Sequence, residues 1–313
     1  MHAVVIDDGE LRWEERPDPE PGDTELLVDV RAAGLNGADM SQRAGRYPAP
    51  PGSPADIPGL EIAGEVVAVG AAVRRFSPGD RVMGLLGGGG HATRAVIDEL
   101  HAMPVPASLS WPEAGGFCEV FATAFDAIFS NCRLRMGERM LVTGAAGGVG
   151  VAAVQLGAAA GARVVASVRD PARRDEVVAL GADLVVAPDE ASDQGPFDVA
   201  LELVGAASLP SVLGALATGA RVWVVGVGSG AQIELNLFHL MRSRARLGGS
   251  TIRARDRREK ANVVAAVEAQ VLPLLANGKV RVPVCEAYAM EDAAAAYERF
   301  VAGGKLGKVV LTA

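Results

Sequence analysis

The sequence predicts an α/β protein in which a β-rich first part is followed by a doubly wound parallel sheet. Roughly the first hundred residues carry short apolar or alternating segments between turn signals, which is typical of a small barrel or sandwich. After about Trp111, continuous apolar strands alternate with helices, the pattern of a parallel sheet covered on both faces. One of these strands runs into a glycine-rich turn that a helix follows.

Composition limits the classes of protein to which the chain can belong. Its 313 residues are 50% apolar and 22% charged, enough for two moderate domains with sizeable cores. A net charge of −8 and an aromatic content of 4% argue against a nucleic-acid-binding protein. The cysteines, Cys118, Cys132 and Cys285, are odd in number and far apart, which excludes a disulfide framework and a four-cysteine zinc lobe.

Neither a signal peptide nor a membrane span is predicted. The first residues lack a basic segment followed by an apolar run, so a cytoplasmic location is expected. The uncharged stretch Met140–Ala162 is long enough to cross a bilayer, but it contains six glycines, four of them clustered. We interpret it as a strand, a tight turn and a buried helix.

The individual elements follow from periodicity and turn residues. In the first part the predicted strands are Ala3–Ile6, Leu11–Glu15, Glu25–Ala32, Glu61–Val69, Arg81–Leu86 and His91–Ile97. A helix over Pro112–Asn131, with Ser110 as its N-cap, opens the second part. Strands Met140–Thr143, Arg163–Val168, Asp183–Val186, Val199–Leu203 and Arg221–Val227 then alternate with helices Gly150–Ala160, Ala172–Leu180 and Leu209–Leu216. The tail predicts helices over Lys260–Ala276 and Met290–Ala302 and strands over Pro283–Tyr288 and Gly307–Thr312.

The glycine-rich turn predicts a dinucleotide site. A strand, a turn and a helix in this order bring backbone N–H groups and the positive end of a helix to a pyrophosphate. Gly147 would allow close approach of the backbone, and Gly150 would allow tight packing of helix on strand. Ala145 replaces the first glycine of the usual motif, so the prediction depends on the surrounding pattern of strands and helices.

The end of the next strand indicates which dinucleotide is bound. An NAD site usually has an acidic residue there, but this chain has Ser167, Val168 and Arg169, with Arg173 one helical turn later. A hydroxyl and two guanidinium groups suit the 2′-phosphate of NADP(H), since charge-assisted hydrogen bonds are each worth about 1.5–3 kcal/mol. Two alternatives stay open: a solvated helix start with scattered arginines, or Asp170 as a displaced ribose-binding acid.

Motifs spread over the whole chain resemble one family. They are Ala33–Asp39, Gln42–Pro48, Pro58–Gly64, Gly79–Val82, Glu119–Phe125, Ala145–Gly150, Gly249–Arg253 and Gly307–Leu311. The chain resembles the zinc-independent, zeta-crystallin-like quinone oxidoreductases of the medium-chain dehydrogenase/reductase superfamily. The resemblance implies a GroES-like β-barrel catalytic domain over residues 1–110, completed by 247–313, and a Rossmann cofactor domain over 111–246. It also implies a homodimer.

The resemblance bears on metal as well. Zinc-dependent relatives have Cys at the position of Asn36, His at that of Leu60, and a further Cys or acid near Glu119. A catalytic zinc needs three protein ligands, so none is expected. Without a Lewis acid the natural chemistry is reduction of an electrophilic acceptor by NADPH.

The expected reaction is hydride transfer from the nicotinamide to a quinone, with an enoyl or enone reductase and a catalytically silent NADPH-binding protein as alternatives. Asn36 and Tyr47 are the candidate catalytic residues, although Asn36 could simply cap a turn and Tyr47 could be a loop residue. Glu119 could simply pair with a neighbour. The candidate cofactor-binding residues are Asn36, Thr123, Gly147, Gly148, Val149, Ser167, Arg169, Arg173, Val204, Gly226 and Val227.

Two further interpretations concern the surface. The basic run Arg253–Lys260 is interpreted as a solvated loop entering a helix, although Arg253 could face the cleft. The apolar segment Val222–Val227 could pair at a sheet edge in the dimer.

Overall fold

A computed structural model describes residues 1–313 and divides the strands into a two-stranded hairpin, a mostly antiparallel barrel-like sheet and a parallel sheet. The two larger sheets and the helices between their strands confirm the predicted α/β class. No helix is both long enough and apolar enough to cross a membrane.

The first domain is built on a seven-stranded sheet with a separate hairpin. The hairpin is β1 (His2–Asp7) and β2 (Glu10–Glu15); the next elements are β3 (Glu25–Gly34), α1 (Gly37–Arg43), β4 (Glu61–Val69), β5 (Arg81–Leu85), β6 (Arg94–Asp98) and β7 (Ala102–Pro104). Strand β3 is central, because β4 and β6 both pair with it. The alternation of buried and exposed residues along β3 explains why its strand pattern could be recognised.

Two helices and a π-helical turn connect the domains where one continuous helix was predicted. They are α2 (Trp111–Gly115), α3 (Cys118–Phe125) and the turn Asp126–Asn131. Ser110 caps α2 as expected, and its hydroxyl accepts from the N–H of Glu113. The helix breaks at Gly116, where a Cβ would lie 3.1 Å from Cγ of Lys308. Close packing of the tail against this glycine therefore accompanies the break.

The second domain is a six-stranded parallel sheet with helices in its crossovers. Its elements are β8 (Arg139–Val142), α4 (Gly148–Ala159), β9 (Arg163–Ser167), α5 (Arg174–Val178), β10 (Leu184–Val186), β11 (Phe197–Glu202), α6 (Leu209–Gly214), β12 (Leu216–Val224), α7 (Leu237–Ser243) and β13 (Arg246–Gly249). The strand order β10-β9-β8-β11-β12-β13 reverses direction between β8 and β11. Ligands of such sheets bind outside the carboxyl ends of the strands at this reversal.

Four elements were not predicted, and one prediction about the sheet edge was wrong. Helices α1 and α7 and strands β7 and β13 are short and carry no extended apolar pattern. Because β13 pairs with β12, the segment Val222–Val224 is internal and cannot be an edge. Strand β13 is the edge instead, and the predicted domain boundary at residue 246 falls inside it.

The tail returns to the first domain. It contains α8 (Arg257–Gln270), α9 (Leu272–Ala276), β14 (Val284–Ala289), α10 (Ala293–Val301) and β15 (Lys308–Thr312). Strand β15 pairs antiparallel with β3, and Val310 lies opposite Gly34. This register places Lys308 beside the residues that immediately follow β3, at the junction of the two domains.

Candidate functional site

The glycine-rich turn after β8 has the geometry of a phosphate site. Gly147 is the extended N-cap of α4, and no side chain caps the helix, so its first N–H groups face outward. A Cβ on Gly150 would lie 2.6 Å from Cα of Ala145, which explains why glycine is needed where helix meets turn. Gly148 and Val149 begin the helix and sit at the same opening.

The tail closes against this turn. The N–H of Gly307 donates to the carbonyl of Ala146 at 2.9 Å, and Gly307 forms a β-bridge with Gly147. The next residue, Lys308, starts β15. One short segment therefore touches the phosphate turn and enters the barrel sheet.

A buried ion pair lies next to this contact between the tail and the glycine-rich turn. The Nζ of Lys308 lies 2.7 Å from Oε1 of Glu61, and both side chains are almost completely buried. The same Nζ donates to the Oδ1 of Asn36 at 2.7 Å and to the carbonyl of Leu35 at 2.6 Å. The three donated hydrogen bonds use every proton of the ammonium.

The side-chain amide and the backbone N–H of Asn36 are all hydrogen-bonded. Its Nδ2 donates to Oε1 of Glu61 at 3.0 Å and to the carbonyl of Gly34 at 3.2 Å, while its Oδ1 accepts from Lys308. Its backbone N–H donates to the carboxylate of Asp39 at the start of α1. Asn36 thus stands at the helix N-cap, but its amide points into the ion-pair cluster rather than along the helix.

Glu119 joins the same cluster from α3. Its backbone N–H donates to Oε2 of Glu61 at 2.8 Å, and its Oε1 accepts from the Thr123 hydroxyl at 3.3 Å. The pKa of Glu119 is raised to about 7, first by burial and then by the nearby Glu61 carboxylate, against the opposing charge of Lys308. Glu119 and Thr123 lie one helical turn apart, so α3 presents both to the junction.

Arg253 is buried, whereas residues 254–259 are exposed or half-buried and lead into α8, as predicted for a solvated loop entering a helix. Its guanidinium donates to Oε1 of Gln42 at 2.6 Å and to the carbonyls of Gly87 (2.7 Å) and Tyr47 (3.0 Å). Lys260, also buried, donates to the carbonyl of Arg253 at 3.1 Å. Both cations bind local acceptors that a basic run in sequence does not reveal.

Tyr47 lies beside Arg253, whose guanidinium carbon is 5.2 Å from the ring centroid. Partial burial raises the pKa of the Tyr47 hydroxyl above its usual value, so it is neutral at physiological pH. The charge of Glu119 also acts on Tyr47. The structure therefore brings the predicted residues Asn36, Tyr47 and Thr123 to one region.

The predicted 2′-phosphate residues surround the end of β9. Ser167 is buried as its last residue, while Arg169 is exposed just beyond it. Arg173 donates to Glu176 at 2.6 Å and to the carbonyl of Gly304 at 3.2 Å. A Cβ on Gly303 would lie 3.3 Å from Nη2 of Arg169, so the tail borders this basic corner as well.

The remaining predicted cofactor residues follow the next two strands. The N–H of Val204 donates to Oε1 of Glu202 at 2.7 Å, Gly226 packs directly on the carbonyl of Leu203, and Val227 is exposed. Glu202 was not predicted, although its buried carboxylate also accepts from Ser208 and organises the loop. The sequence feature that could have identified Glu202 is an acidic residue in an otherwise apolar strand.

Comparison with known proteins agrees with this architecture. Residues 22–130 match the alcohol dehydrogenase GroES-like domain, and residues 148–269 match the zinc-binding dehydrogenase domain. The quinone oxidoreductase of Rattus norvegicus is 30% identical over 94% of this chain and 90% of its own. The spectinabilin polyketide synthase system protein NorB of Streptomyces orinoci is 34% identical over 92% of this chain, which is 13% of that protein. Mycobacterial Rv1454c complexed with NADPH superimposes over the full length of both chains with 25% identity and a TM-score of 0.89.

The fold and the two domain matches define an oxidoreductase of the medium-chain dehydrogenase/reductase superfamily. Within it, the chain belongs to the quinone oxidoreductase family. This confirms the family indicated by the sequence motifs. A nicotinamide cofactor and a small-molecule substrate follow from that membership.

The residues at the positions that hold zinc in zinc-dependent relatives do not fit a catalytic zinc. Leu60 offers no donor atom, and both ends of the Asn36 amide are engaged with Lys308, Glu61 and Gly34. The ammonium of Lys308 already neutralises Glu61 there. Catalytic zinc requires three protein ligands, and Glu119 alone remains.

Replacing Lys308 with Met should strongly destabilise the fold. The substitution leaves the Glu61 carboxylate buried without its cation, an effect of about 3–5 kcal/mol in the free energy of unfolding. Urea unfolding measures it, and adding Glu61→Gln should recover part of the loss. Arg31→Ala, which breaks the exposed pair with Glu65, is the control and should leave the midpoint nearly unchanged. Equal effects of Lys308→Met and Arg31→Ala would contradict a stabilising role for the buried pair.

Proposed function

We propose that the protein is an NADPH-dependent oxidoreductase that transfers hydride to a quinone without a metal ion. The observation that carries this proposal is the cluster of Lys308, Glu61 and Asn36. It surrounds Asn36, which stands where zinc-dependent relatives have a cysteine ligand, with a charge-balanced, hydrogen-bonded set of side chains. Alcohol oxidation without a Lewis acid is difficult, whereas a quinone is already electrophilic.

The protein's part in this reaction is to orient donor and acceptor. In our proposal the turn Gly147–Val149 holds the pyrophosphate, and Val204, Gly226 and Val227 border the cofactor along the strand ends. Thr123 and Asn36 stand at the nicotinamide end. Because the amide of Asn36 is committed to Glu61 and Lys308, its role would be to shape that end. The neutral Tyr47 hydroxyl would donate to the acceptor oxygen.

The preference for NADP(H) rests on the basic corner beyond β9. Ser167, Arg169 and Arg173 replace the acid that holds the 2′-hydroxyl in NAD sites. The likeness to mycobacterial Rv1454c, which was solved with NADPH, supports this assignment. The displaced acid Asp170 instead caps its own turn, and its carboxylate accepts from the N–H of Ala172 at 3.0 Å.

An acceptor panel tests the proposed reaction. With NADPH, the purified protein should reduce benzoquinone or naphthoquinone faster than saturated ketones, and prolonged treatment with a chelator should not lower the rate. The decrease in NADPH absorbance over time measures the rate with each acceptor and the rate after chelation. Loss of activity on chelation would exclude the metal-free reaction, and NADPH binding without turnover of any acceptor would favour a silent binding protein.

A conjugated enone is the second candidate acceptor. The likeness to part of a polyketide synthase system protein supports it. Enones in the same panel decide between the two: enone turnover without quinone turnover would reverse our order.

Arg169→Ala and Arg173→Ala should each raise the KM for NADPH by at least about tenfold, the loss of one charge-assisted contact. The KM for NADH should stay nearly constant. Arg163→Ala, an exposed arginine at the opposite end of β9, is the matched control and should change neither value. Equal effects on both cofactors would contradict recognition of the 2′-phosphate.

We also propose a homodimer, with β13 as the paired edge. The adjacent α7 exposes Leu237, Phe238 and Met241, an apolar surface unusual for a free helix. Light scattering should give twice the chain mass, and Phe238→Glu should shift it toward one chain. A single-chain mass for the unaltered protein at micromolar concentration would contradict the dimer.

A further inference from the structure

Hydride transfer leaves the acceptor one proton short, and the proposed function assigns no group to supply it. We propose that the carboxylic acid of Glu119 donates this proton to the reduced acceptor. The inference rests on the proposed function, because it needs an acceptor whose reduction creates an oxygen anion.

The geometry leaves one oxygen of Glu119 free. The Oε1 accepts from Thr123, while the Oε2 makes no hydrogen bond to the protein. Glu119 is half-buried although the adjacent Cys118 and Val120 are buried, so part of its surface stays accessible beside Thr123. The backbone bond to Glu61 fixes the start of α3 and hence the direction of the side chain.

The surroundings keep a substantial fraction of this carboxyl group protonated at neutral pH. Its burial and the carboxylates of Glu61 and Asp39 raise its pKa to about 7, and the cations Lys308 and Lys260 only partly oppose them. Both cations are already bound elsewhere, Lys308 to Glu61 and Lys260 to the carbonyl of Arg253. The remaining ionisable groups around Glu119 are Cys118, Tyr47 and Arg253.

The proton step balances without a further reactant. The C–H bond at the nicotinamide breaks, and its hydride adds to a carbon conjugated with the acceptor carbonyl. The displaced electron pair moves to the carbonyl oxygen, and the cofactor becomes oxidised. The O–H bond of Glu119 then breaks as its proton passes to that oxygen. The resulting carboxylate recovers a proton from water entering the cleft.

Tyr47 is the competing donor. Its pKa is raised above that of an ordinary tyrosine, so its hydroxyl can donate a hydrogen bond but releases its proton less readily than Glu119. A general acid works best when its pKa is close to the working pH, which favours the carboxyl group.

The kinetic test compares Glu119→Gln with the unaltered protein, using the quinones and enones of the panel. Gln keeps the size and the bond to Thr123 but cannot supply an acidic proton, so kcat should fall about 100-fold. The KM values and the affinity for NADPH should change less than about threefold. In the unaltered protein kcat should decline above about pH 7, and this decline should vanish in Glu119→Gln. Glu298→Gln, on the exposed face of α10, is the control and should keep the full profile.

A second measurement reads the protonation of Glu119 without turnover. The pKa of Glu119 is about 7 in the folded chain and 4.5 as an ordinary carboxyl. Between these two pH values the folded state therefore keeps a proton that the unfolded state loses. Stability of the unaltered protein should therefore fall, relative to Glu119→Gln, as the pH rises from 4.5 to 7, and stay constant above. The difference in Tm across this range reports it.

The outcomes separate the two proposals. Normal quinone or enone turnover by Glu119→Gln with an unchanged pH profile would overturn the donor role and leave the proposed function intact. A comparable loss in Tyr47→Phe but not in Glu119→Gln would transfer the role to Tyr47. No turnover of any acceptor by the unaltered protein would overturn the proposed function and the donor role together, even if the Tm difference appeared.

Discussion

The ion pair between Lys308 and Glu61 is the interaction on which the arrangement of this molecule depends. Two charges this deeply buried are tolerated only when each is neutralised and hydrogen-bonded, and here the ammonium has three acceptors. Those acceptors come from the two residues that follow β3 and from the first residue of β4. The pair thereby holds β15 against the sheet of the first domain. Because Gly307, next to Lys308, contacts the glycine-rich turn, the pair also fixes the position of that turn.

The same arrangement gives Glu61 and Glu119 different electrostatic surroundings. Glu61 is compensated by Lys308, whereas Glu119 faces two carboxylates and cations that are already engaged. These surroundings raise the pKa of Glu119 to about 7. A carboxyl group whose pKa is raised by its environment is characteristic of catalytic sites.

Local patterns predicted most of the strands and the cofactor turn, because alternation, apolar runs and glycines are signals within a few residues. The hairpin β1–β2 and the β8–turn–α4 unit follow directly from such signals. Lys308 and Arg253 could not be predicted as buried, since their partners lie elsewhere in the chain. Strand β13 was missed because two of its four residues are glycine and no apolar run marks it. A charged residue within an otherwise apolar strand, such as Lys308 or Glu202, is the local signal that indicates a buried charged group.

The antiparallel pairing of β15 with β3 also makes the barrel discontinuous in the chain. Its central strand forms early in the sequence, but one of its neighbours is supplied only after the whole nucleotide-binding sheet has been traversed. A high separation between contacting segments slows folding through the entropy of closing the intervening loop. The sheet of the first domain is therefore complete only once β15 has returned to β3 across the intervening chain.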